Sequence, residues 1–330
     1  MSELLLHARD VRIGFPVKRG ILFQREVARV QAVDGVDLDL HAGETLAVVG
    51  ESGCGKTTLA RGLVRLLDID SGTVEYRGED ITRRSGRGLE GFRRDVTMIF
   101  QDPISSLDPR MRVGQSVQEP LDIHGIGTAA ERKRRVQDAL ERVGLSPEHV
   151  NRFPHEFSGG QRQRIGIARA LVLEPRVIVC DEPVSALDVS VQAQIVNLLE
   201  DLQRDLGLAY IVIAHDLDVV RRLADRVQVM YLGRTVETGD AEDVYERPRH
   251  PYTRALLAAR PVADPVAART REHVILEGDV PSPINPPSGC RFHPRCPLAQ
   301  ADCAAVDPSL ETGADGHGWA CLHPLDPAAS

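Results

Sequence analysis

Two short stretches of the sequence combine residue types that can bind and cleave a nucleoside triphosphate. The first, GESGCGKT at residues 50–57, lies between an apolar strand and a helix, which is the context that the G-x-x-x-x-G-K-[ST] pattern requires. Its glycines allow backbone N–H groups to surround a β-phosphate, Lys56 can reach the β- and γ-oxygens, and Thr57 can ligate Mg²⁺. A glycine-rich turn can arise by chance, but the strand and helix around this one favour a phosphate loop.

The second stretch is RVIVCDEP at residues 176–183, an apolar strand that ends in two acids. Asp181, at the tip of the strand, suits an outer contact to Mg²⁺, and Glu182 then points toward the γ-phosphate, where it can polarise a water. Taken alone, two acids after a strand usually mark a solvated strand end. Beside a phosphate loop, they predict Mg²⁺-dependent hydrolysis of a nucleoside triphosphate.

The elements that position these residues follow from the pattern of apolar runs. Four short runs rich in Val and Ile predict strands buried on both faces, as in a parallel sheet: 45–50, 96–100, 176–181 and 209–215. Helical patterns lie between them: 55–67, 129–145, 191–207 and 217–224. Strands that alternate with helices predict an α/β fold.

Composition divides the chain into two regions. Residues 1–259 hold the α/β pattern and form the predicted ATPase domain, with a helical insertion at about 104–170. From about residue 260 the sequence is polar and rich in Pro, which predicts a linker. Residues 260–330 are therefore predicted to form a small C-terminal extension, and 330 residues suffice for one large domain with such an appendage.

Composition also narrows the classes of protein. The chain is 42% hydrophobic and 27% charged, which is typical of a globular protein, and its net charge is −8. Because no long run of Lys and Arg occurs, composition does not favour nucleic-acid binding. The first residues lack the basic-then-apolar pattern of a signal peptide, and no apolar stretch approaches the roughly 20 residues of a membrane span. We therefore expect a cytosolic protein with reduced thiols.

Four further motifs resemble those of ABC ATPases and stand in that family's order. FSGGQRQR (157–164) is similar to the signature motif, FQDP (100–103) to the Q-loop, SALD (185–188) to the D-loop and AHD (214–216) to the H-loop. The resemblance covers roughly residues 4–255. It implies an ABC-type P-loop NTPase with a RecA-like core around a parallel sheet, an antiparallel β subdomain and a helical insertion.

The same resemblance assigns roles to single residues. It implies that Glu182 orients or deprotonates the attacking water, that Gln101 contacts this water and Mg²⁺, and that His215 touches the γ-phosphate. It places a set of residues around the chain's own ATP, with an aromatic ring on the adenine: Phe15, Gly50, Glu51, Ser52, Gly53, Cys54, Gly55, Lys56, Thr57 and Thr58. It assigns Mg²⁺ to Thr57, Gln101 and Asp181.

A second group of residues is expected to act on the ATP of a partner subunit. The group comprises Ser158, Gly159, Gly160, Gln161 and Asp188. The first four begin the signature helix, whose free N–H groups would face a partner's γ-phosphate, and the aspartate would link the two sites. Because each motif occurs once, the resemblance implies a dimer of ATPase subunits. Glu182 and His215 are both present, so this subunit is expected to be catalytically competent.

Longer segments resemble the ATPases of dipeptide/oligopeptide importers (Dpp/Opp type), and the F-type subunit most closely. They are residues 32–61, 98–111, 154–171, 250–257 and 278–299. The resemblance implies a D-type ATPase partner, two membrane permeases, an extracytoplasmic solute-binding protein and a location at the cytoplasmic face of the membrane, without nucleic acid. Importers of nickel, glutathione or other solutes share this scaffold and stay alternatives. A DNA-repair ABC ATPase is a further alternative, because the ABC ATPases of nucleotide-excision repair also carry four-cysteine zinc sites.

The tail holds four of the chain's 6 cysteines, spaced C-x5-C-x6-C-x17-C: Cys290, Cys296, Cys303 and Cys321. Reduced thiols in a small tail suggest a metal, which would supply folding free energy that so small a core cannot. Four thiolates can hold a 4Fe–4S cluster, and the resemblance to the peptide-importer branch implies one here. The missing C-x-x-C pair weakens a zinc-finger interpretation, but zinc stays an alternative, with nearby histidines as substitutes: His293, His317 and His323. Free or oxidised thiols are a third hypothesis, and redox sensing is open beside a structural role.

Overall fold

The computed structural model describes residues 2–19, 25–102, 106–185, 187–259 and 278–326. In chain order, the strands in these ranges are β1 (Leu4–Arg19), β2 (Arg25–His41), β3 (Thr45–Val49), β4 (Ser71–Tyr76), β5 (Glu79–Asp80), β6 (Val96–Ile99), β7 (Val177–Asp181), β8 (Ala209–Ala214), β9 (Arg226–Tyr231), β10 (Arg234–Asp240), β11 (Glu311–Thr312) and β12 (Gly318–Trp319). The α-helices are α1 (Lys56–Leu63), α2 (Glu90–Asp95), α3 (Val113–Ile123), α4 (Ala129–Arg142), α5 (Gly159–Leu171), α6 (Val189–Leu206), α7 (Leu217–Leu223), α8 (Ala241–Glu246) and α9 (Pro251–Ala258). Short 3₁₀ turns cover Gly86–Leu89, Pro147–Asn151, Pro154–Glu156, His293–Arg295 and Ala301–Ala304.

Within these ranges, the centre of the fold is an eight-stranded sheet in the order β11-β12-β10-β9-β3-β8-β7-β6. The strands from β9 to β6 in that order run parallel, and β10, β12 and β11 continue the sheet in antiparallel pairs. Every residue of β3, β7 and β8 is buried, as expected of parallel strands covered on both faces. The four strands predicted from sequence are confirmed, because their observed bounds differ from the predicted ones by one residue at most.

A second sheet, with four strands in the described ranges, is antiparallel throughout and has the order β2-β1-β4-β5. Its inner side chains, such as Leu6 and Val36, are fully buried. They share one apolar cluster with Leu59 and Leu63 of α1 and with inner residues of the central sheet. The helix that follows the phosphate loop therefore packs against both sheets, and the expected antiparallel β subdomain is confirmed.

The two-residue period of the central strands divides the hydrophobic core in two. In β3, Leu46 and Val48 belong to the cluster with α1 and the antiparallel sheet. Ala47 and Val49 belong to the cluster on the opposite face, with residues of helices α3 to α7. Because close packing covers both faces, the loops at the carboxyl ends of the strands are held in place from either side.

Three α-helices, α3 to α5, lie between β6 and β7 in the chain, within the range predicted for a helical insertion. The polar helix α4 starts at a capping box, in which the carboxylate of Glu131 accepts from the N–H of Thr128 at 2.7 Å. It buries Val136 and Leu140 on one face, which confirms the amphipathic helix predicted from sequence. No helix in the described ranges is both long and apolar enough to cross a membrane.

The C-terminal tail is part of the same sheet and core. Its strand β12 pairs with β10, and its Phe292 is 1% exposed. The ring of Phe292 lies 5.3 Å, between centroids, from both Tyr231 and Tyr252. The linker predicted from residue 260 lies outside the described residues as far as 277. The C-terminal extension thus pairs a strand with the ATPase domain and shares buried aromatic contacts with it. Composition, which separates the two regions, does not reveal such contacts.

Candidate functional site

The phosphate loop connects β3 to α1 and passes close to two other backbone segments. Gly50 has a φ of 151° and Gly55 a φ of 107°, which residues with a Cβ rarely adopt. A Cβ at Gly50 would lie 2.2 Å from the carbonyl oxygen of Met230, and one at Gly55 would lie 2.0 Å from that of Ala32. Close packing of backbone against backbone therefore requires glycine at both positions and sets the shape of the loop.

Lys56 is the first residue of α1 and is only 5% exposed. Its Nζ donates to the carbonyl oxygens of Gly50 at 2.7 Å and Glu51 at 3.0 Å, and in the described part of the chain it forms no ion pair. The ammonium charge is therefore not neutralised by a carboxylate. It lies at a helix N-terminus, where the helix dipole also favours a phosphate anion.

Thr57 and Asp181 form a pair suited to a divalent cation. The hydroxyl of Thr57 donates to Oδ1 of Asp181 at 2.8 Å. Asp181 is fully buried, and its Oδ2 has no hydrogen-bond partner among the described residues. Burial raises the pKa of Asp181, because the ionised carboxyl is poorly solvated. An unpaired, buried carboxylate oxygen beside a hydroxyl fits Mg²⁺, which prefers oxygen ligands.

Three predicted catalytic residues meet at the ends of adjacent parallel strands. Nε2 of Gln101, after β6, donates to Oε2 of Glu182 at 2.8 Å, and Nδ1 of His215, after β8, lies 3.3 Å from the same oxygen. Glu182 follows β7 with a φ of 48°, and its N–H donates to the carbonyl of Ile213 at 2.9 Å. A residue in this left-handed conformation is strained, and such strain is common at functional sites. The arrangement gives one carboxylate two neighbours that orient it.

The predicted partner-facing residues form a separate group, in which Ser158, Gly159 and Asp188 are exposed, Gln161 is half-buried and Gly160 is buried. Ser158 caps α5: its Oγ accepts from the N–H of Gln161 at 3.3 Å, and its own N–H donates to the Gln161 side chain at 3.0 Å. Asp188 caps α6 in the same way, accepting from the N–H of Val191 at 3.0 Å. Val191 also packs on Gly160: a Cβ added at Gly160 would lie 2.4 Å from Cγ1 of Val191. The starts of α5 and α6 therefore lie together, and their described hydrogen bonds do not reach the phosphate loop.

The other predicted ATP contacts differ in exposure. Ser52 and Gly53 are exposed at the top of the loop, and Thr58 is half-buried in α1. Cys54 is buried, and burial raises the pKa of its thiol. Phe15, on β1, is 41% exposed, so its ring can receive a planar ligand.

Two residues that touch the phosphate loop were not singled out from the sequence. The hydroxyl of Tyr252 accepts from the N–H of Glu51 at 2.9 Å, and the guanidinium of Arg295 donates to the Glu51 carboxylate at 2.8 and 3.1 Å. Both lie in segments that resemble the peptide-importer branch, but the pattern alone does not predict a contact across more than 200 residues of chain.

The four tail cysteines line one small cavity beneath α9, together with Phe292 and His250. None of the four is in a disulfide bond, and the N–H of Cys290 donates to the carbonyl of Cys303 at 2.8 Å. Burial raises the pKa of Cys290, of Cys296 and of Cys321, the last to about 11. Burial thus favours neutral thiols, which a bound metal would convert to thiolates.

The distances between these cysteine sulfurs indicate how large a metal ion or cluster they could bind together. In the described ranges, three residues place one potential metal-ligating atom each within 4.8 Å of the other two: Asp302, Cys303 and His323. No three of the cysteine sulfurs are that close, whereas tetrahedral zinc with Zn–S bonds of about 2.3 Å brings its sulfurs within roughly 4 Å. His323 also contacts Asp302 at 2.9 Å, so this histidine already has a carboxylate partner.

Comparison with known proteins identifies the family. The ABC transporter family model matches residues 33–185, and the model of the oligopeptide/dipeptide transporter C-terminal region matches residues 236–303. The oligopeptide transport ATP-binding protein OppF of Salmonella typhimurium is 51% identical over 98% of this chain and 97% of its own length. The chain belongs to the ABC transporter ATP-binding proteins, in their oligopeptide branch. AppF of Bacillus subtilis, also an oligopeptide transport ATP-binding protein, is 49% identical over 97% of both chains.

Solved ABC structures share the fold of this ABC protein. The dimeric ATP-binding cassette MJ0796, in a post-hydrolysis state with ADP and Pi, matches with a TM-score of 0.63 and 28% identity over 72% of this chain and 99% of its own. CbiO1 of Clostridium perfringens, part of the ABC transporter complex cbiONQ, matches with a TM-score of 0.63 and 30% identity over 74% of this chain and 91% of its own. The expected ABC-type fold is confirmed, and ATP and Mg²⁺ are the ligands expected at its site.

The unsatisfied carboxylate of Asp181 generates a stability prediction. Its folded-state pKa is raised above the unfolded value, so folding stability falls as pH rises through that raised pKa. Asp181→Asn removes the charge, and we expect a higher thermal unfolding temperature for the nucleotide-free variant at neutral pH. With ATP present, Mg²⁺ should stabilise the wild type further but not the variant. Thermal unfolding with and without each ligand measures both effects.

The matched control is Asp138→Asn, because Asp138 is exposed on α4. Its unfolding temperature and Mg²⁺ response should equal those of the wild type. An Asp181→Asn protein that unfolds at a lower temperature, or that gains as much from Mg²⁺ as the wild type, would contradict the placement of the cation.

Proposed function

We propose that this chain binds ATP with Mg²⁺ and hydrolyses it to power the import of peptides through partner permeases. The observation that carries the proposal is the convergence of Gln101 and His215 on the Glu182 carboxylate. That carboxylate follows directly on Asp181, whose side chain is bonded to Thr57 of the phosphate loop. A base and a cation site therefore adjoin one loop that binds phosphate.

The chain's own residues divide the work of phosphoryl transfer. Glu182, held by its two neighbours, orients a water and accepts its proton. Lys56 leaves its carbonyl partners to neutralise charge on the β- and γ-oxygens. Thr57, Asp181 and Gln101 would hold Mg²⁺, which when bound neutralises charge on the phosphate oxygens. His215, exposed beside Glu182, is placed to contact the γ-phosphate.

A second ATPase subunit, a D-type paralogue, completes each site in this proposal. The start of α5 at Ser158 and Gly159 is exposed, as is Asp188, so these groups are open to another chain. Next to Asp188, Val189 has 82% of its surface exposed. An exposed apolar residue beside a signature helix is consistent with an interface. The dimeric structure of the MJ0796 cassette, which has a similar fold, supports a dimer of ATPase subunits.

Partner permeases would dock in a groove of about 660 Å³ between the central sheet and α3. Gln101 lines this groove, with the exposed apolar residues Ile123 (74%) and Leu66 (53%). A partner seated there would contact the loop that orients Glu182, which links transport to hydrolysis. The names of two relatives, both oligopeptide transport ATP-binding proteins, support peptides as the cargo. In this proposal an extracytoplasmic solute-binding protein delivers the peptides, and this subunit lies at the cytoplasmic face of the membrane.

The tail cysteines are proposed to hold a 4Fe–4S cluster. Cys290, Cys296, Cys303 and Cys321 line a common cavity, and their sulfurs are spread more widely than a single zinc ion requires. Bound there, the cluster would supply cross-links that stabilise a tail with little apolar core of its own. Zinc is the alternative, with Asp302 and His323 beside Cys303 as its candidate ligands.

Glu182→Gln tests the catalytic assignment. Because the amide cannot accept a proton, turnover is expected to fall about 100-fold or more, while ATP affinity stays within a few-fold of the wild type. Phosphate release and nucleotide titration measure the two quantities. Glu141→Gln, at an exposed site on α4, should change neither. Turnover that survives Glu182→Gln would remove Glu182 from the mechanism.

Ile123→Asp tests the permease groove in the reconstituted transporter. A charge on this exposed apolar surface should lower peptide-stimulated ATP hydrolysis about 10-fold while ATP binding by the free subunit is unchanged. Leu206→Asp, at an apolar residue of similar kind on α6, is the control and should leave stimulation intact. Stimulation by nickel or glutathione instead of peptides would contradict the proposed cargo, and normal stimulation of Ile123→Asp would contradict the docking surface.

Anaerobic purification tests the tail group. We expect about four irons per chain and a broad absorbance near 400 nm, both lost in Cys296→Ser and Cys321→Ser. Cys180→Ala, in the buried strand β7, is the control and should keep the iron. Colourless protein with one zinc per chain would assign the site to zinc, and metal-free protein would leave the thiols without a ligand.

A further inference from the structure

Glu51, the second residue of the phosphate loop, is held at all three of its polar groups. Its N–H donates to the hydroxyl of Tyr252 at 2.9 Å, and its carbonyl accepts from Nζ of Lys56 at 3.0 Å. Its two carboxylate oxygens accept from the two Nη atoms of Arg295, at 2.8 and 3.1 Å. Such a two-pronged contact fixes the direction of the side chain as well as its distance. The position of the loop is thus set partly by α9 and partly by the C-terminal tail.

Arg295 is itself placed rigidly. Its side chain is 7% exposed, and its guanidinium carbon lies 6.0 Å from the ring centre of Tyr231. It ends the short turn His293–Arg295, which follows the buried Phe292. Because a buried aromatic residue anchors the turn, the guanidinium reaches the loop with little freedom to move.

The charge of Glu51 matters because the loop must receive a triphosphate. Glu51 is mostly buried, and within the described ranges Arg295 is its ion-pair partner. An unpaired carboxylate in the loop would repel the phosphates, and partial burial strengthens such a repulsion by lowering the local dielectric constant. The ion pair cancels that charge before ATP arrives.

We propose that Arg295 is a positioning residue for the Glu51 side chain of the phosphate loop: its ion pair fixes that carboxylate and cancels a charge that would repel ATP, while Tyr252 and Lys56 hold the Glu51 backbone. The inference rests on the proposed function, since it concerns ATP binding by this loop. It gives the C-terminal tail a direct part in nucleotide affinity, separate from any metal that its cysteines hold.

The competing explanation is that Arg295 only docks the tail, and Arg291 supplies the matched control. Arg291 lies in the same segment, is 10% exposed, and docks the tail through Asp34 and the carbonyl of Leu232. When Arg291 is lost, Asp34 still pairs with Arg12 and Arg234. Loss of Arg291 therefore removes a docking contact of the tail without exposing a negative charge at the loop.

The experiment measures ATP–Mg²⁺ affinity by calorimetry on the full-length chain, with Glu182→Gln in every protein to prevent turnover. Arg295→Met should weaken ATP binding about 10-fold or more, because the Glu51 carboxylate then repels the phosphates. The loss should be smaller at high salt, which screens this repulsion. Adding Glu51→Gln to Arg295→Met should restore affinity to within about 3-fold of the parent. The ATP affinity of Arg291→Met should stay within about 3-fold of the parent's. Arg295→Lys keeps the positive charge but cannot contact both carboxylate oxygens as a guanidinium does, so its ATP affinity should lie between those of the parent and Arg295→Met.

A kinetic readout distinguishes positioning from catalysis. With Glu182 intact, Arg295→Met should raise the KM for ATP and leave kcat nearly unchanged, because Arg295 has no contact with the catalytic carboxylate. If Arg295→Met does not fold, Glu51→Gln alone carries the test. Our proposal expects ATP affinity equal to or tighter than the parent's, whereas a docking role predicts a loss, because Arg295 loses its charged partner.

Three results would overturn the proposal. They are parental affinity in Arg295→Met, a double variant as weak as Arg295→Met, and equal losses in Arg291→Met and Arg295→Met. The parent's own titration separates this failure from that of the proposed function. A parent that does not bind ATP refutes both, whereas a parent that binds ATP as tightly as Arg295→Met refutes the positioning role alone.

Discussion

The buried carboxylate of Asp181 is the constraint on which the site depends. One oxygen accepts a hydrogen bond from Thr57, and the other, fully buried, has no hydrogen-bond partner in the part of the chain that the structure describes. Burying an ionised group in this way opposes folding, and a nearby cation removes the cost. The fold tolerates this unfavourable burial because β7 is packed on both faces and hydrogen-bonded to β6 and β8, which stabilises the strand that carries Asp181.

The same edge of the sheet explains how side chains from three distant segments come to lie together. β6, β7 and β8 are parallel neighbours, so the residues that follow them leave the sheet side by side. Gln101, Glu182 and His215 come from these three ends, and each is the first or second residue beyond its strand. Ligands of open parallel sheets bind at the carboxyl ends of the strands for this reason. The left-handed backbone at Glu182 turns the chain sharply enough to leave its carboxylate between the other two side chains.

The C-terminal tail is tied to this machinery by apolar burial and by charge. Phe292 packs with Tyr231 and Tyr252, and burial of a Phe side chain contributes about 1.5–3 kcal/mol. Tyr252, a member of that aromatic cluster, and Arg295, three residues after Phe292, each contact Glu51 in the phosphate loop. The tail therefore lies against the nucleotide site, although composition alone separates it from the ATPase domain.

Elements that depend on interactions between neighbouring residues can be predicted from the sequence alone. The phosphate loop, the buried strands and the helix starts follow from glycine, from runs of Val and Ile and from capping residues, which act within a few positions of one another. Family resemblance adds predicted roles for Gln101, Glu182 and His215, which stay predictions. Only the folded structure shows that Arg295 pairs with Glu51 across 244 residues, that one oxygen of Asp181 lacks a partner among the described residues, and that Phe292 belongs to the main core. Such contacts depend on how sheets and tail pack in space, and no local pattern encodes which distant charge or ring will occupy a given position.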